Sequence, residues 1–458
     1  MKSFAVLIPE GLNIEGLVST HSPNLDPDYL KYIIHLVLSP MAFVHQKEDS
    51  KKQTCSSIYK QIPTSSLIVR HTKHKEHMDF LRSDILPRRE SRTKFKENKC
   101  SILHSKGYKR GEKSYSYKLN NIFLNQSLKV DYITDPKLIN KIKSSIDLPS
   151  IIKNGKYRFL GKYFNNSKLK VDFDEAVSLC EKRYSEHNNF SKYVSEFTQL
   201  IDLKNGSYYI YYTSDTDGRI HSNITRLPKA YRRFLTYANK RLVEVDLSNS
   251  IIYFITMIVI NRIKEESINI KFSINLLMFT KALESLDKKE KQLLEEASIS
   301  GEFYNLFIDS FRDNFTLEEL TRIYKSDFDD EFTGTKGQMR KLAKKNVLAM
   351  IFADVKHYKK VQELFRNKFP NLLNVLILFK QKFGYKSLSH LLLQIESCFI
   401  LDKVARKFNA KYRRFAPIFS LHDCLITTVD YENHLETILK EIFIEEFGLA
   451  PQTKTTPW

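Results

Sequence analysis

Two carboxylates stand beside mainly apolar stretches of the chain. Asp246 lies in RLVEVDLSNS (Arg241 to Ser250), at the end of a run of Leu242, Val243, Val245 and Leu247, and the stretch from Ile251 to Ile260 that follows is almost wholly apolar. Asp423 lies in SLHDCLITT (Ser420 to Thr428), which reads as two short β segments meeting at a polar turn with His422-Asp423 at the tip. A carboxylate between a core strand and a core helix costs several kcal/mol unless it is paired or metal-bound. A helix cap at Asp246 and an ordinary turn at His422-Asp423 are the structural alternatives. Two such carboxylates can also converge on a pair of divalent cations. In-line phosphoryl transfer needs that arrangement, one ion activating the attacking oxygen and the other stabilising the leaving oxygen. Hard oxygen ligands suit Mg²⁺, which keeps some waters and takes substrate phosphates as further ligands.

Between the two lies GQMRKLAKKNVLAMIFADVKHY, Gly337 to Tyr358. Arg340, Lys344, Leu348 and Phe352 recur every four residues, so on a helix they drift about 40° per step and share one face about 120° wide. Two cationic turns followed by an aromatic plane suit a triphosphate with a base or sugar against the ring. A solvated basic helix with Phe352 in the core satisfies the same spacing.

In order, Asp246, the Arg340–Lys344–Phe352 helix and His422-Asp423 resemble motifs A, B and C of family A DNA polymerases. Single-subunit phage-type RNA polymerases share that catalytic fold and have similar motifs. Asp217-Gly218-Arg219-Ile220-His221-Ser222, followed by Leu227-Pro228, resembles the stretch before motif A, and Gln394-Ile395-Glu396-Ser397 resembles the helix before motif C. The resemblance spans Tyr208 to Phe447. It implies an α+β fold, a right-hand palm with helical fingers. It also implies that Asp246 and Asp423 hold two Mg²⁺ ions, with Mn²⁺ as a substitute and the Leu247 carbonyl as a further ligand. Lys344 would act in catalysis by offsetting charge on the leaving group. Arg340, Lys344, Phe352 and Ile251 would face the nucleotide, and Arg219, Gln394 and His422 the primer–template.

The implied function is template-dependent nucleotidyl transfer by a DNA-directed DNA polymerase of a mobile element or phage, with DNA primer–template and nucleoside triphosphates as partners. Three positions depart from the family pattern. Cys424 follows the second Asp where family A DNA polymerases have an acid. Ile251 stands where they have the Glu that blocks a ribose 2′ hydroxyl, and Phe352-Ala353 replaces Tyr-Gly. An RNA polymerase or primase on the same scaffold, and a DNA-binding replication protein without activity, are the competing expectations.

The elements that must position these groups belong to a chain of 458 residues with 73 Lys and Arg against 53 Asp and Glu, a net charge of +20. Such an excess is the footprint of a polyanion partner. Five scattered cysteines without a C-x-x-C pair point to reduced thiols, which excludes a disulfide-stapled secreted fold. Met1 to Leu12 has too short an apolar run for a secretory signal, and the run from Ile251 to Ile260 is about half of what spans a bilayer. A cytoplasmic protein without membrane contact is expected.

Residues 1–130 read as a basic nucleic-acid-binding α+β region. Asp26 and Pro27 open a helix to Leu38. His71, His74 and His77 match no zinc-module spacing and read as a solvated basic helix. The glycine-turned hairpin within Cys100 to Leu124 then completes a winged-helix outline. Residues 131–206 read as a helical linker or thumb-like region, clearest from Asp172 to Tyr193. Residues 207–458 read as the palm and fingers, with fingers-side helices over 261–335 and helices packing behind the palm at Leu372 to Phe383 and Ser389 to Phe408.

Overall fold

The computed structural model describes residues 3–39, 59–86, 100–107, 114–124, 126–145, 155–263, 273–328 and 330–458. The fold mixes helices with antiparallel sheets. Two compact units form: Met1–Asn154, Phe164–Ile210 and Ser222–Asn239 make the first, and Gly155–Tyr163, Tyr211–His221 and Lys240–Trp458 the second.

In the first unit the wholly buried strand Phe4–Pro9 pairs antiparallel with Leu128–Ile133, Val6 opposite Asp131. Strand Leu128–Ile133 thus completes the N-terminal sheet. Asn205 serves Ala5 as a surrogate strand, its amide accepting from Ala5 N–H and donating to Ala5 C=O, both at 2.8 Å. Asp26 caps helix Pro27–Leu38 by accepting from Asp28 N–H at 3.0 Å.

The histidines differ from expectation. Helix His74–Arg82 begins after His71, and His77 is buried. His77 Nε2 accepts from Asp26 N–H at 2.9 Å and Nδ1 faces the Lys73 carbonyl at 2.8 Å. With both ring nitrogens engaged, His77 ties two helices together and is neither solvated nor a zinc ligand. Leu103–Lys106 and Ser116–Leu119 pair antiparallel, as a hairpin requires, while its glycine turn at 108–113 lies outside the described residues. Two helices, Phe173–His187 and Phe190–Asn205, occupy the stretch read as most clearly helical. Asn188 takes a left-handed φ of 48° and ends the first, and Asn189 caps the second.

In the second unit strand Lys240–Leu247 is flanked on one edge by Cys424–Thr428, Val245 opposite Leu425. Thr453–Pro457 lies on its other edge, Asp246 opposite Lys454. Phe419–Leu421 extends the sheet through a two-residue turn, Leu421 opposite Cys424. Every residue of helix Ser250–Val259 is buried, and its Phe254 stacks on Phe399. The unit adds helices Ser273–Leu283, Lys288–Ile299, Leu317–Phe328 and Lys336–Phe352, then Pro370–Phe383 and Tyr385–Ser397. The last continues through the wider turns of Cys398–Ala405 into Arg406–Tyr412. Lys380 is buried and donates to Met350 C=O at 2.8 Å, which supplies a donor to the last turn of the Arg340 helix.

Candidate active site

Strand register brings the two carboxylates together. Val245 opposite Leu425 makes Asp246 and Cys424 the next neighbours outward, and Asp423 is the last turn residue before Cys424. One ligand atom from each of Asp246, Asp423 and Cys424 lies within 4.8 Å of the others. His422 takes a left-handed φ of 55°, a conformation uncommon for a side-chain-bearing residue, at the first position of that tight turn. It is exposed. Asn249, at φ 57°, turns the chain sharply out of the strand into the buried helix, and Ser250 then donates to Asp423 Oδ2 at 3.0 Å.

The site is electrically incomplete. Burial first, and then the facing charge of Asp423, push Asp246 up to about 6, while a hydrogen bond from Cys424 and the charge of Lys344 pull the other way. The Cys424 thiol is pushed well above the usual range by burial and by the same carboxylates, so it is an S–H donor, 3.2 Å from Asp246 Oδ1. Two facing hard-oxygen groups, one of them driven towards its protonated form, fit a divalent cation such as Mg²⁺ or Mn²⁺, whereas a protonated thiol adds no ligand of that kind.

On helix Lys336–Phe352 the residues Arg340, Lys344, Leu348 and Phe352 are all partly exposed, while Met339, Leu342, Ala343, Val347, Met350 and Ile351 are buried. The four-residue spacing therefore corresponds to one half-buried face, beside the exposed Lys341 and Lys345. Arg340 Nη2 donates to Gly301 C=O at 2.9 Å. Gly301 has φ 75°, and a Cβ there would lie 3.3 Å from Ser248 Cβ, so glycine is what lets this loop close on the segment just past Asp246. Leu247 and Ile251 are buried.

Arg219 and Gln394 stand differently from a nucleic-acid-facing pair. Gln394 is buried and donates to the carbonyls of Ser214 and Thr216, both at 3.0 Å, and Ser397 donates to Gly218 C=O. These bonds clamp the turn before Arg219 onto helix Tyr385–Ser397. Gly218, at φ 66°, lies so close to Gln394 that a Cβ would sit 3.1 Å from its Cγ. The Arg219 guanidinium meets Glu396, whose side chain is 0% exposed. Sequence reasoning assigned nothing to Ser250 or Glu396. The available signal was an acid inside an otherwise apolar helical run, LLLQIESCFIL.

No protein-family model matches the chain, and no curated protein matches it. Among solved structures it is similar to the POL domain of Pol1 from M. smegmatis in complex with DNA primer-template and dNTP. Identity is 11% and the TM-score 0.40, over 70% of this chain and 72% of that one. Among the described residues no helix is long and apolar enough to cross a membrane.

Proposed function

We propose that the second unit is a nucleotidyl transferase that extends a primer on a nucleic-acid template, with deoxynucleotides on DNA as the primary reaction. The observation that carries this reading is the convergence of Asp246, near the end of one strand, and Asp423, in the turn before another, with ligand atoms within 4.8 Å of each other. The order of the sequence motifs around them supports it. Asp246 and Asp423 would hold the divalent cations, which when bound lower the barrier at both the attacking and the leaving oxygen.

The protein's own groups do the rest. Lys344, whose charge is felt at Asp246, offsets negative charge that builds on the departing pyrophosphate. Arg340, held by Gly301 C=O, keeps further donors for the triphosphate. Phe352, at the far end of the same face, stacks on the new base pair. Ile251 and Phe352 have no polar group with which to satisfy a 2′ hydroxyl, so they favour deoxyribose. The basic residues of the first unit hold nucleic acid by its phosphates.

Primer extension on separate DNA and RNA templates, with dATP and ATP competing, tests the proposal. Preferential dATP incorporation is expected. An unpaired buried hydroxyl costs about 1–3 kcal/mol, so the preference is roughly ten- to hundredfold. Equal or better use of ATP would instead identify an RNA polymerase or primase on this scaffold.

A further inference from the structure

Glu396 is the most deeply buried acid near the site, and its ion pair is incompletely satisfied. Its Oε2 meets the Arg219 guanidinium and the Ser250 hydroxyl is a further partner of the carboxylate, while Arg219 Nε is buried without a hydrogen-bond partner. An ion pair kept only to stabilise a core is a poor use of burial, because desolvation offsets most of the attraction unless every lone pair and proton is satisfied. This pair is half satisfied, and it lies beside the candidate metal ligands. Arg219 is under the electrostatic influence of Glu396, Asp423 and Asp217, in that order. Ser250 is 5% exposed, lies in the first turn of the buried helix, and donates to Asp423 Oδ2 at 3.0 Å. The same hydroxyl is also within hydrogen-bond reach of the Glu396 carboxylate, and its single hydrogen serves one of the two acids at a time.

Asp423 sits on a tight turn with an exposed neighbour, so its backbone alone does not determine where its carboxylate points. A donor on Oδ2 selects one rotamer and leaves Oδ1 on the side of Cys424, 3.9 Å away. Behind Ser250, the Arg219 charge is balanced by Glu396. Without Glu396 that guanidinium would lose its direct ion-pair partner, and its attraction to Asp423 would compete with that of any divalent ion.

We propose that Ser250 and Glu396 are positioning residues for Asp423: the Ser250 hydroxyl orients the carboxylate, and Glu396 holds Arg219 away from it so that both oxygens stay available to a divalent cation. This rests on the reading of Asp246 and Asp423 as cation ligands. It assigns the buried Glu a task in the site, and it accounts for an ion pair left partly unsatisfied.

The test is Mn²⁺ binding to the full chain, followed by the electron paramagnetic resonance of free Mn²⁺, alongside primer extension as a function of Mg²⁺. The variants are Ser250→Ala, Ser250→Thr, Glu396→Gln and the double variant Glu396→Gln/Arg219→Gln. Loss of one charge-assisted hydrogen bond predicts about tenfold weaker Mn²⁺ binding by Ser250→Ala, with Ser250→Thr recovering most of it. Glu396→Gln is expected to weaken Mn²⁺ binding in the same direction, and the double variant to bind more tightly than Glu396→Gln alone because the freed cation is gone. A merely structural role would lower the melting temperature while leaving Mn²⁺ affinity unchanged, and that result overturns the proposal. So does a double variant no better than Glu396→Gln. If the wild-type chain binds Mn²⁺ with this pattern yet incorporates no nucleotide, nucleotidyl transfer fails and the positioning role stands. If it extends primers but Ser250→Ala keeps the wild-type Mg²⁺ dependence, the positioning role fails alone. A wild-type chain that binds no Mn²⁺ overturns both.

Discussion

Cys424 Sγ lies 3.2 Å from Asp246 Oδ1, so a protonated thiol hydrogen-bonds one of the two facing carboxylates. A third acid at that position would raise the negative charge around two facing carboxylates. The thiol instead donates a hydrogen bond that opposes the upward push on Asp246. Sequence comparison marked Cys424 as a departure; the structure gives it a local partner.

Asp246→Asn and Asp423→Asn should each abolish nucleotide incorporation and weaken Mn²⁺ binding while nucleic-acid affinity survives. Each change removes a charged ligand and little volume. Primer extension beside a filter-binding or anisotropy titration checks this, and near wild-type extension in Mg²⁺ by either variant would refute the ligand assignment.

Divalent-cation affinity should fall as pH drops through about 6, where Asp246 takes up a proton. The sign follows from the shift: its pKa is raised, so the charged, cation-binding form exists only above it. Cys424→Ala removes a hydrogen bond that favours the charged form, and the midpoint should move to higher pH. Mn²⁺ titrations from pH 5 to 8 would show it. An unchanged or lower midpoint would mean that the thiol does not act on Asp246.

Lys344→Ala should reduce kcat, and Arg340→Ala should raise the nucleotide KM more than it weakens template binding. Charge-assisted contacts of this kind are worth roughly 1.5–3 kcal/mol. Steady-state kinetics with varied dNTP would separate the two effects. If nucleotide dependence stays unchanged while DNA affinity is lost, the face binds duplex instead.

In the first unit Asp202 is fully buried, with Oδ2 lacking a partner, and burial pushes its carboxyl up to about 8 against a partial pull from Arg226. Its folded-state pKa exceeds the unfolded one, so its contribution to stability is complete below pH ~4 and is lost progressively as pH rises towards 8. Asp202→Asn keeps the shape without the titration. Thermal unfolding should therefore show a higher Tm than wild type at pH 8, with the difference shrinking towards pH 5. A lower Tm across that whole range would argue that the ionised carboxylate has a stabilising partner.

Local order was legible without coordinates. The apolar run before Asp246 and the apolar run after it specify a buried strand and a buried helix, because those side chains leave water only in such elements. The hairpin tip at His422-Asp423 and the Asp26 cap with Pro27 follow from turn and cap chemistry that acts within a few residues. Four-residue spacing was enough to put Arg340, Lys344, Leu348 and Phe352 on one half-buried helix face. Contacts between distant segments were decided only by tertiary structure. Hydropathy pattern carries no register, and it is register that sets Val245 opposite Leu425 and Asp246 opposite Lys454. His77 looked like a surface histidine from its basic neighbours, yet a backbone N–H from Asp26, 51 residues away, draws it into the core. Gln394 looked free to face nucleic acid, yet the turn before Arg219 takes up its amide donors. Ser250 and Glu396 gain meaning only beside Asp423 and Arg219, because a hydroxyl or a buried carboxylate acts through partners that the fold alone brings within hydrogen-bond reach.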